Sequence, residues 1–204
     1  TPLYSSAASD VYKRQLQAYS RNASGKPLRL LVPWRPAPPS EETRPGLAWV
    51  QQLARRILDA CAASLTHHLA YYPEDYAVAP PWAQVRLVWF IHRFTLGRPE
   101  IRWEPLMEGP YPGAPLIRQI LTSPTPEVLY EDAPFEQIIA ELVNALQAMG
   151  MESIWVLSDG LEGWSEVAFD RLVEGLKAFL STLSIFGHRG LVYKLCLSAD
   201  IEPT

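Results

Sequence analysis

The sequence predicts an α/β protein, a parallel sheet with helices on both faces. Three short apolar runs have the length and composition of buried strands, at residues 28–32, 154–157 and 191–197. The longer stretches between them repeat apolar residues at three- and four-residue spacing, which is typical of amphipathic helices. Strands that alternate with helices along a chain indicate a parallel sheet with right-handed crossovers.

Composition supports one globular domain and limits its partners. The chain has 204 residues, of which 48% are hydrophobic, enough for a substantial core. A pI near 5.6 argues against general nucleic-acid binding. No apolar run approaches the roughly 20 residues that span a bilayer, and no charged leader precedes an apolar segment. We therefore expect a soluble, cytoplasmic protein without a membrane partner.

The two cysteines, Cys61 and Cys196, are too few for a disulfide framework and lack the CxxC spacing of a zinc site. We expect both to be buried. His67 and His68 are adjacent, so on a helix they point about 100° apart and are expected at its surface rather than on one metal ion. Lys194 interrupts an apolar strand, and we expect it to reach solvent or pair with an acid.

The first predicted strand, 28–32, is closed by Pro33 and followed by a proline-rich connector. A long helix is predicted at 47–72, and a second at 82–94 follows two prolines. Prolines limit residues 97–134 to an irregular insertion with one or two helical turns at 116–121. Further helices are expected at 135–149, before Gly150, and at 164–183. Helical spacing predicts that the aromatic residues of the second helix are core: Trp82, Trp89, Phe90 and Phe94.

The segment from Ser153 to Trp164, SIWVLSDGLEGW, carries the clearest functional motif. Its apolar run ends at Asp159-Gly160, and a second carboxylate, Glu162, follows three positions after the first. One interpretation is a Walker B strand, which delivers a carboxylate to the carboxyl edge of a sheet to hold magnesium. The other is a strand that leaves the sheet through an Asp-Gly turn and has no chemical role.

On these residues the chain resembles a P-loop NTPase of the additional-strand class, nearest to the STAND and NACHT signalling ATPases. The resemblance implies a three-layer sandwich in which the three predicted strands are neighbours. It also implies Mg²⁺ and ATP as cofactors, with Asp159 holding the metal and Glu162 activating water. Ser198 or Asp200, after the third strand, would contact the γ-phosphate. The motif departs from the family at Ser158, at Glu162 in place of Asp, and at Gly163.

A Walker B motif requires a phosphate-binding loop, and the printed sequence has no GxxxxGK[ST]. Gly25-Lys26 imitates the end of that motif, but Pro27 stands where the Ser or Thr belongs and a strand follows where a helix is needed. Residues 1–15 resemble a translated sequencing adapter, so we expect this segment to be non-native. Residues 16–204 would then be a single truncated P-loop NTPase-like domain, with a helical and proline-rich insertion between its first two strands.

Two functions are consistent with the sequence. The first is a fragment of an ATP-binding and ATP-hydrolysing signalling or regulatory NTPase, inactive alone because the phosphate-binding loop is missing. The second is a non-catalytic interaction module that uses the same sheet and contacts protein partners through its helical and proline-rich insertion. Because one fold hosts many functions, the fold class cannot choose between them.

Overall fold

The computed structural model describes residues 21–34, 47–95, 103–127, 133–158, 173–174, 177–178, 181 and 188–195. Three strands and six helices are defined within them. The strands are β1 (Arg29–Trp34), β2 (Ser153–Ser158) and β3 (Leu191–Leu195). The helices are α1 (Leu47–Tyr71), α2 (Pro73–Ala77), α3 (Pro81–Thr95), α4 (Glu104–Glu108), α5 (Ala114–Thr122) and α6 (Phe135–Ala148).

The three strands form one parallel sheet in the order β1-β2-β3. This confirms the predicted α/β class and the prediction that the three apolar runs are neighbours. The predicted end of β1 was wrong, because the strand continues through Pro33 to Trp34. Among the described residues β1 pairs with β2 alone, and an edge strand tolerates proline because one side of its backbone needs no hydrogen-bonded neighbour.

The described core cluster lies on one face of the sheet. On the first face, the row Leu30, Ile154 and Leu191 belongs to one continuous core cluster with apolar residues of α1 and α6. Helix α1 contacts β1, and α6 contacts β2. Residues of the opposite face do not join this cluster. We call that surface the Trp155 face; it comprises Arg29, Leu31, Pro33, Ser153, Trp155, Leu157, Val192 and Lys194.

The direction of the strand order explains this asymmetry. The chain moves from β1 to β2 and on to β3 in one direction, so two right-handed crossovers place their helices on the same face. Residues 173–174, 177–178 and 181, within the predicted helix 164–183, are helical. Ala178 among them packs against the core cluster of the first face, as this handedness requires.

The helical layer is more regular than the prolines suggest. Helix α3 packs between α1 and α6, and the insertion after it contains α4 and a nine-residue α5 in place of one or two turns. Pro134 precedes α6, and Gly150 follows the helix with φ +93°. Glycine is favoured after a helix because it adopts this left-handed conformation readily. No helix in the described part of the chain is long and apolar enough to cross a membrane.

One core prediction in this layer was wrong. Trp89, Phe90 and Phe94 are buried as expected, but Trp82 is 46% exposed. It lies in the first turn of α3, where the Arg86 guanidinium sits 4.8 Å from its ring centroid. Helical spacing places these aromatic residues near one another, but it does not show where the neighbouring helices stop covering them.

Candidate functional site

The strand part of the predicted motif ends at the carboxyl edge of the sheet. Trp34, Ser158 and Leu195 end the three strands in neighbouring register positions. Because the strands are parallel, the segments that follow them all leave from this edge, where open α/β sheets bind ligands. Asp159 directly follows Ser158 in sequence. The four predicted site residues lie outside the described residues: Asp159, Glu162, Ser198 and Asp200.

Ser158 is the described residue closest in sequence to the motif. Its side chain is 1% exposed, and its Oγ has no hydrogen-bond partner among the described residues. A buried hydroxyl without a partner costs about 1–3 kcal/mol, so such groups are uncommon in folded proteins. Sequence reasoning treated Ser158 as an interruption before Asp159, whereas the structure makes it the last residue of β2.

The residue types at the end of β2 in the sequence include oxygen groups of the kind that magnesium binds. Mg²⁺ is bound through oxygen atoms, often one or two carboxylates together with water and phosphate. An unpartnered hydroxyl at Ser158, followed in sequence by Asp159, supplies ligand types of this kind. In the part of the chain that the structure describes, no cluster of three or more His, Cys, Asp or Glu residues is arranged to hold a metal ion.

The loop that imitates a phosphate-binding motif has its polar groups engaged internally. Asn22 Oδ1 accepts hydrogen bonds from the backbone N–H groups of Ser24 and Lys26 and from the Ser24 hydroxyl, at 2.7–3.0 Å. Gly25 adopts φ +76°, which closes the turn, and β1 follows. A phosphate-binding loop leaves such N–H groups directed at the ligand. This segment is therefore a turn that enters a strand, as its sequence predicted.

A buried polar cluster anchors that turn to the helical layer. Arg21 donates to both carboxylate oxygens of Asp75, with a shortest distance of 2.9 Å, and its guanidinium lies 3.8 Å from the centroid of the Tyr72 ring. His68 Nε2 lies 2.8 Å from Asp75 Oδ2. The cluster joins α1, α2 and the segment before β1. Because each charge has a partner, its arrangement is that of a structural anchor.

A second histidine fixes the insertion. His92, buried in the last turn of α3, contacts the Ile120 carbonyl oxygen through Nε2 and the Thr125 hydroxyl through Nδ1. The first contact requires Nε2 to donate, because a carbonyl oxygen can only accept. Gly113 N also donates to the Ala70 carbonyl oxygen at 2.8 Å. These bonds dock α5 and its flanking loops on α1 and α3.

A small cavity lies between two helices of the helical layer. The space between α3 and α6, lined by Trp89, Ile138 and Leu142 among others, has about 10 Å³. That volume accommodates about one water molecule.

Cys61 is fully buried, as predicted, and burial raises the pKa of its thiol from 9.0 to about 12. A thiol so protected is not a nucleophile near neutral pH.

Sequence reasoning missed an aromatic and cationic row on the Trp155 face. The Arg29 guanidinium lies 4.3 Å and the Lys194 Nζ 3.9 Å from the Trp155 ring centroid. Lys194 is exposed, which confirms that it reaches solvent. Alternation within β2 separates Trp155 from the core residues Ile154 and Val156, and this alternation was the signal available in the sequence.

Comparison of the chain with protein-family models, curated proteins and solved structures found no match.

Proposed function

We propose that this chain forms part of a magnesium-dependent NTPase that binds and hydrolyses ATP in a signalling or regulatory protein. The observation that carries the proposal is the parallel order β1-β2-β3, in which the central strand ends at Ser158, directly before Asp159. A metal-binding carboxylate in such enzymes follows a buried central strand at the carboxyl edge.

Each motif residue would have a distinct role in this proposal. Asp159 would hold the metal through its carboxylate, and Glu162 would orient a water molecule and accept its proton. Ser198 or Asp200 would contact the terminal phosphate. Magnesium, when bound, would neutralise charge on the phosphate oxygens. The buried hydroxyl of Ser158 would lie beside the Asp159 carboxylate, where the exclusion of water would strengthen its hydrogen bonds.

The printed chain is not competent alone under this proposal. Phosphate contacts in P-loop enzymes come mainly from the backbone N–H groups and the lysine of GxxxxGK[ST], and no such motif occurs in the sequence. Under the proposal, the corresponding segment would be encoded upstream of Leu16. That region should encode a strand, the GxxxxGK[ST] loop and a helix.

The test is to extend the gene upstream in its source DNA and express the extended protein. Steady-state hydrolysis and Mg-ATP titration would then be measured for the parent and two variants. Asp159→Asn should weaken Mg-ATP binding as well as turnover. Glu162→Gln should leave binding nearly intact and lower turnover by about 10²–10⁴-fold, because its role is confined to the attack by water. An upstream region without GxxxxGK[ST], or parental hydrolysis by both variants, would refute the proposal.

The Trp155 face favours a second candidate, the non-catalytic interaction module. On this face Val192 and Lys194 are exposed, whereas Leu157 is 2% exposed, and its residues do not belong to the core cluster of the first face. The helical insertion, by contrast, is docked on the protein's own core through His92 and Gly113. An extended protein that binds no nucleotide would favour this candidate.

A further inference from the structure

The end of α1 holds a guanidinium of this chain in a defined way. The Arg21 guanidinium lies 3.8 Å from the centroid of the Tyr72 ring. Asp75, three positions after Tyr72, accepts hydrogen bonds from Arg21 through both carboxylate oxygens. A ring and a carboxylate together bind a guanidinium through its face and its N–H groups. The negative end of the α1 dipole also lies here, so this part of the molecule favours a cation.

A second pair of aromatic rings lies at the same helix end and reaches solvent. Tyr71 is 44% exposed, and its ring meets that of the half-buried Tyr111 edge to face, with 5.1 Å between the ring centroids. The Tyr72 ring, on which Arg21 stacks, is 6.4 Å from the Tyr71 ring. Among the described residues no cation stacks on Tyr71 or Tyr111. The pair therefore presents a ring beside the Arg21 site that no described cation uses.

Helix α4 lies along this end of α1, because both of its flanks contact that helix. Before α4, the Trp103 ring lies 6.4 Å from the ring of the exposed His67. After α4, Tyr111 meets Tyr71. Trp103 is 9% exposed, and its Nε1 has no hydrogen-bond partner among the described residues. Buried N–H groups are nearly always paired, so the surface has one unsatisfied donor at its border.

The exposed side of α4 is acidic. Glu104 and Glu108 are exposed, and within the part of the chain that the structure describes neither forms an ion pair. The Tyr111 ring packs against Gly109, directly after Glu108, since a Cβ on Gly109 would lie 2.7 Å from a ring carbon. Arg118 reaches α4 but donates to a main-chain carbonyl oxygen. We call the surface formed by Tyr71, Tyr111, Glu104 and Glu108 the Tyr71 surface.

We propose that the Tyr71 surface binds arginine side chains in a basic segment of a partner protein. A guanidinium would stack on Tyr71 as Arg21 stacks on Tyr72. Glu104 and Glu108 would accept hydrogen bonds from this arginine or from its neighbour in the segment. Arginine suits the surface better than lysine, because its planar group stacks on a ring and forms paired hydrogen bonds. The net charge of −4 also favours a basic partner, and nucleotide binding at the carboxyl edge is not required.

The test uses the complete 204-residue chain and three labelled peptides of equal length. In these peptides glycine and serine alternate with arginine, with lysine or with glutamate. Fluorescence anisotropy measures binding at physiological ionic strength, where attraction between distant charges is screened beyond about 8 Å. We expect the arginine peptide to bind at least about fivefold more tightly than the lysine peptide, because lysine has no planar group to stack. The glutamate peptide should not bind.

Two variants on the surface and one matched control test the location. Tyr71→Leu keeps an apolar side chain but removes the ring, so the preference for arginine over lysine should fall below about twofold. Glu108→Gln removes one charge with little change in shape and should weaken binding of the arginine peptide at least about threefold. Glu152→Gln makes the same change at an exposed position directly before β2 and should leave both affinities unchanged. Circular dichroism would establish that each variant is folded.

Four results would overturn the proposal. The first is binding of none of the three peptides. The second is equal binding of the arginine and lysine peptides, because the interaction would then be an attraction by net charge. The third is an equal loss of affinity in Glu108→Gln and Glu152→Gln, which would place the charge effect outside the Tyr71 surface. The fourth is a preference for arginine that persists in Tyr71→Leu, because stacking on that ring would then have no part in recognition.

Discussion

Arg21 and Asp75, 54 positions apart in the sequence, form a two-pronged ion pair that is largely withdrawn from solvent. Asp75 also accepts from His68, and Arg21 stacks on Tyr72. The segment that leads into the sheet is thereby attached to the end of α1. An ion pair in this setting contributes specificity of position, and removal of one partner leaves the other charge unpaired.

Asp75→Ala should lower the free energy of unfolding by about 3 kcal/mol, because it leaves Arg21 and the His68 imidazole without their shared acceptor. Urea denaturation at neutral pH measures the change. Glu74→Ala is the matched control, since Glu74 lies 3.5 Å from the same guanidinium but is 65% exposed. The control should change stability by less than about 0.5 kcal/mol. Equal losses in both variants would contradict a specific role for Asp75.

Gly113→Ala should destabilise the protein by more than about 3 kcal/mol, because overlap with a fixed backbone cannot be relieved by a change of rotamer. A Cβ at this position would lie 2.0 Å from the Leu69 carbonyl oxygen and 2.9 Å from the Ala70 Cα. Gly25→Ala is the control: it meets no atom within 4 Å, and its cost comes from φ +76° alone. That cost should be about 1–2 kcal/mol. Thermal and urea denaturation would compare the two, and a smaller loss for Gly113→Ala would show that α1 and the loop can separate freely.

The buried Cys61 thiol should make the free energy of unfolding fall at alkaline pH. Burial raises the pKa of the thiol from 9.0 to about 12, so the unfolded chain releases this proton more readily than the folded chain. The contribution of the protonated thiol to the free energy of unfolding is complete below pH 9. It is lost as the pH rises towards 12, at up to about 1.4 kcal/mol per pH unit. Cys61→Ala should show a shallower decline than the parent in urea titrations between pH 8 and 11. Parallel declines would contradict a buried, protonated thiol.

Ser158→Ala should leave stability unchanged or raise it by up to about 1 kcal/mol, because the lost hydroxyl has no partner among the described residues. Thr66→Val is the comparison, since Thr66 Oγ1 is also buried but donates to the Ala62 carbonyl oxygen at 2.8 Å. Thr66→Val should lower the free energy of unfolding by about 1 kcal/mol. If Ser158→Ala loses as much as Thr66→Val in urea denaturation, the hydroxyl bonds a group beyond the described residues.

The 204-residue chain should not bind ATP with micromolar affinity, because most phosphate contacts of a P-loop enzyme come from a GxxxxGK[ST] loop and the sequence contains no such motif. Isothermal titration calorimetry with Mg-ATP measures this directly. Asn22→Ala, which frees the N–H groups of Ser24 and Lys26, is a useful second sample. Tight binding by the parent chain would show that a nucleotide site exists without GxxxxGK[ST]. Binding only after Asn22→Ala would show that the turn before β1 is a latent phosphate loop.

Local pattern was sufficient for much of the fold. Short apolar runs located the three strands, and helical spacing located the helices α1, α3 and α6, since these patterns depend on residues close together in the chain. Their alternation predicted a parallel sheet, and handedness restricted the arrangements. The motif after Ser158 was also visible, but its proposed chemistry requires groups from several segments. Residue spacing within one segment cannot give the distances between groups that lie on different segments.

Tertiary structure decided the features that depend on distant contacts. Pro33 remains in β1 because that side of the strand needs no hydrogen-bonded neighbour, and Trp82 is exposed because the helical layer does not cover the first turn of α3. Asp75 finds Arg21 only when α2 folds against the turn before β1. The sequence by itself determined which elements form, because helix and strand periodicity act over a few residues. Which side chains are buried, paired or left at the surface was decided by the approach of elements far apart in the chain.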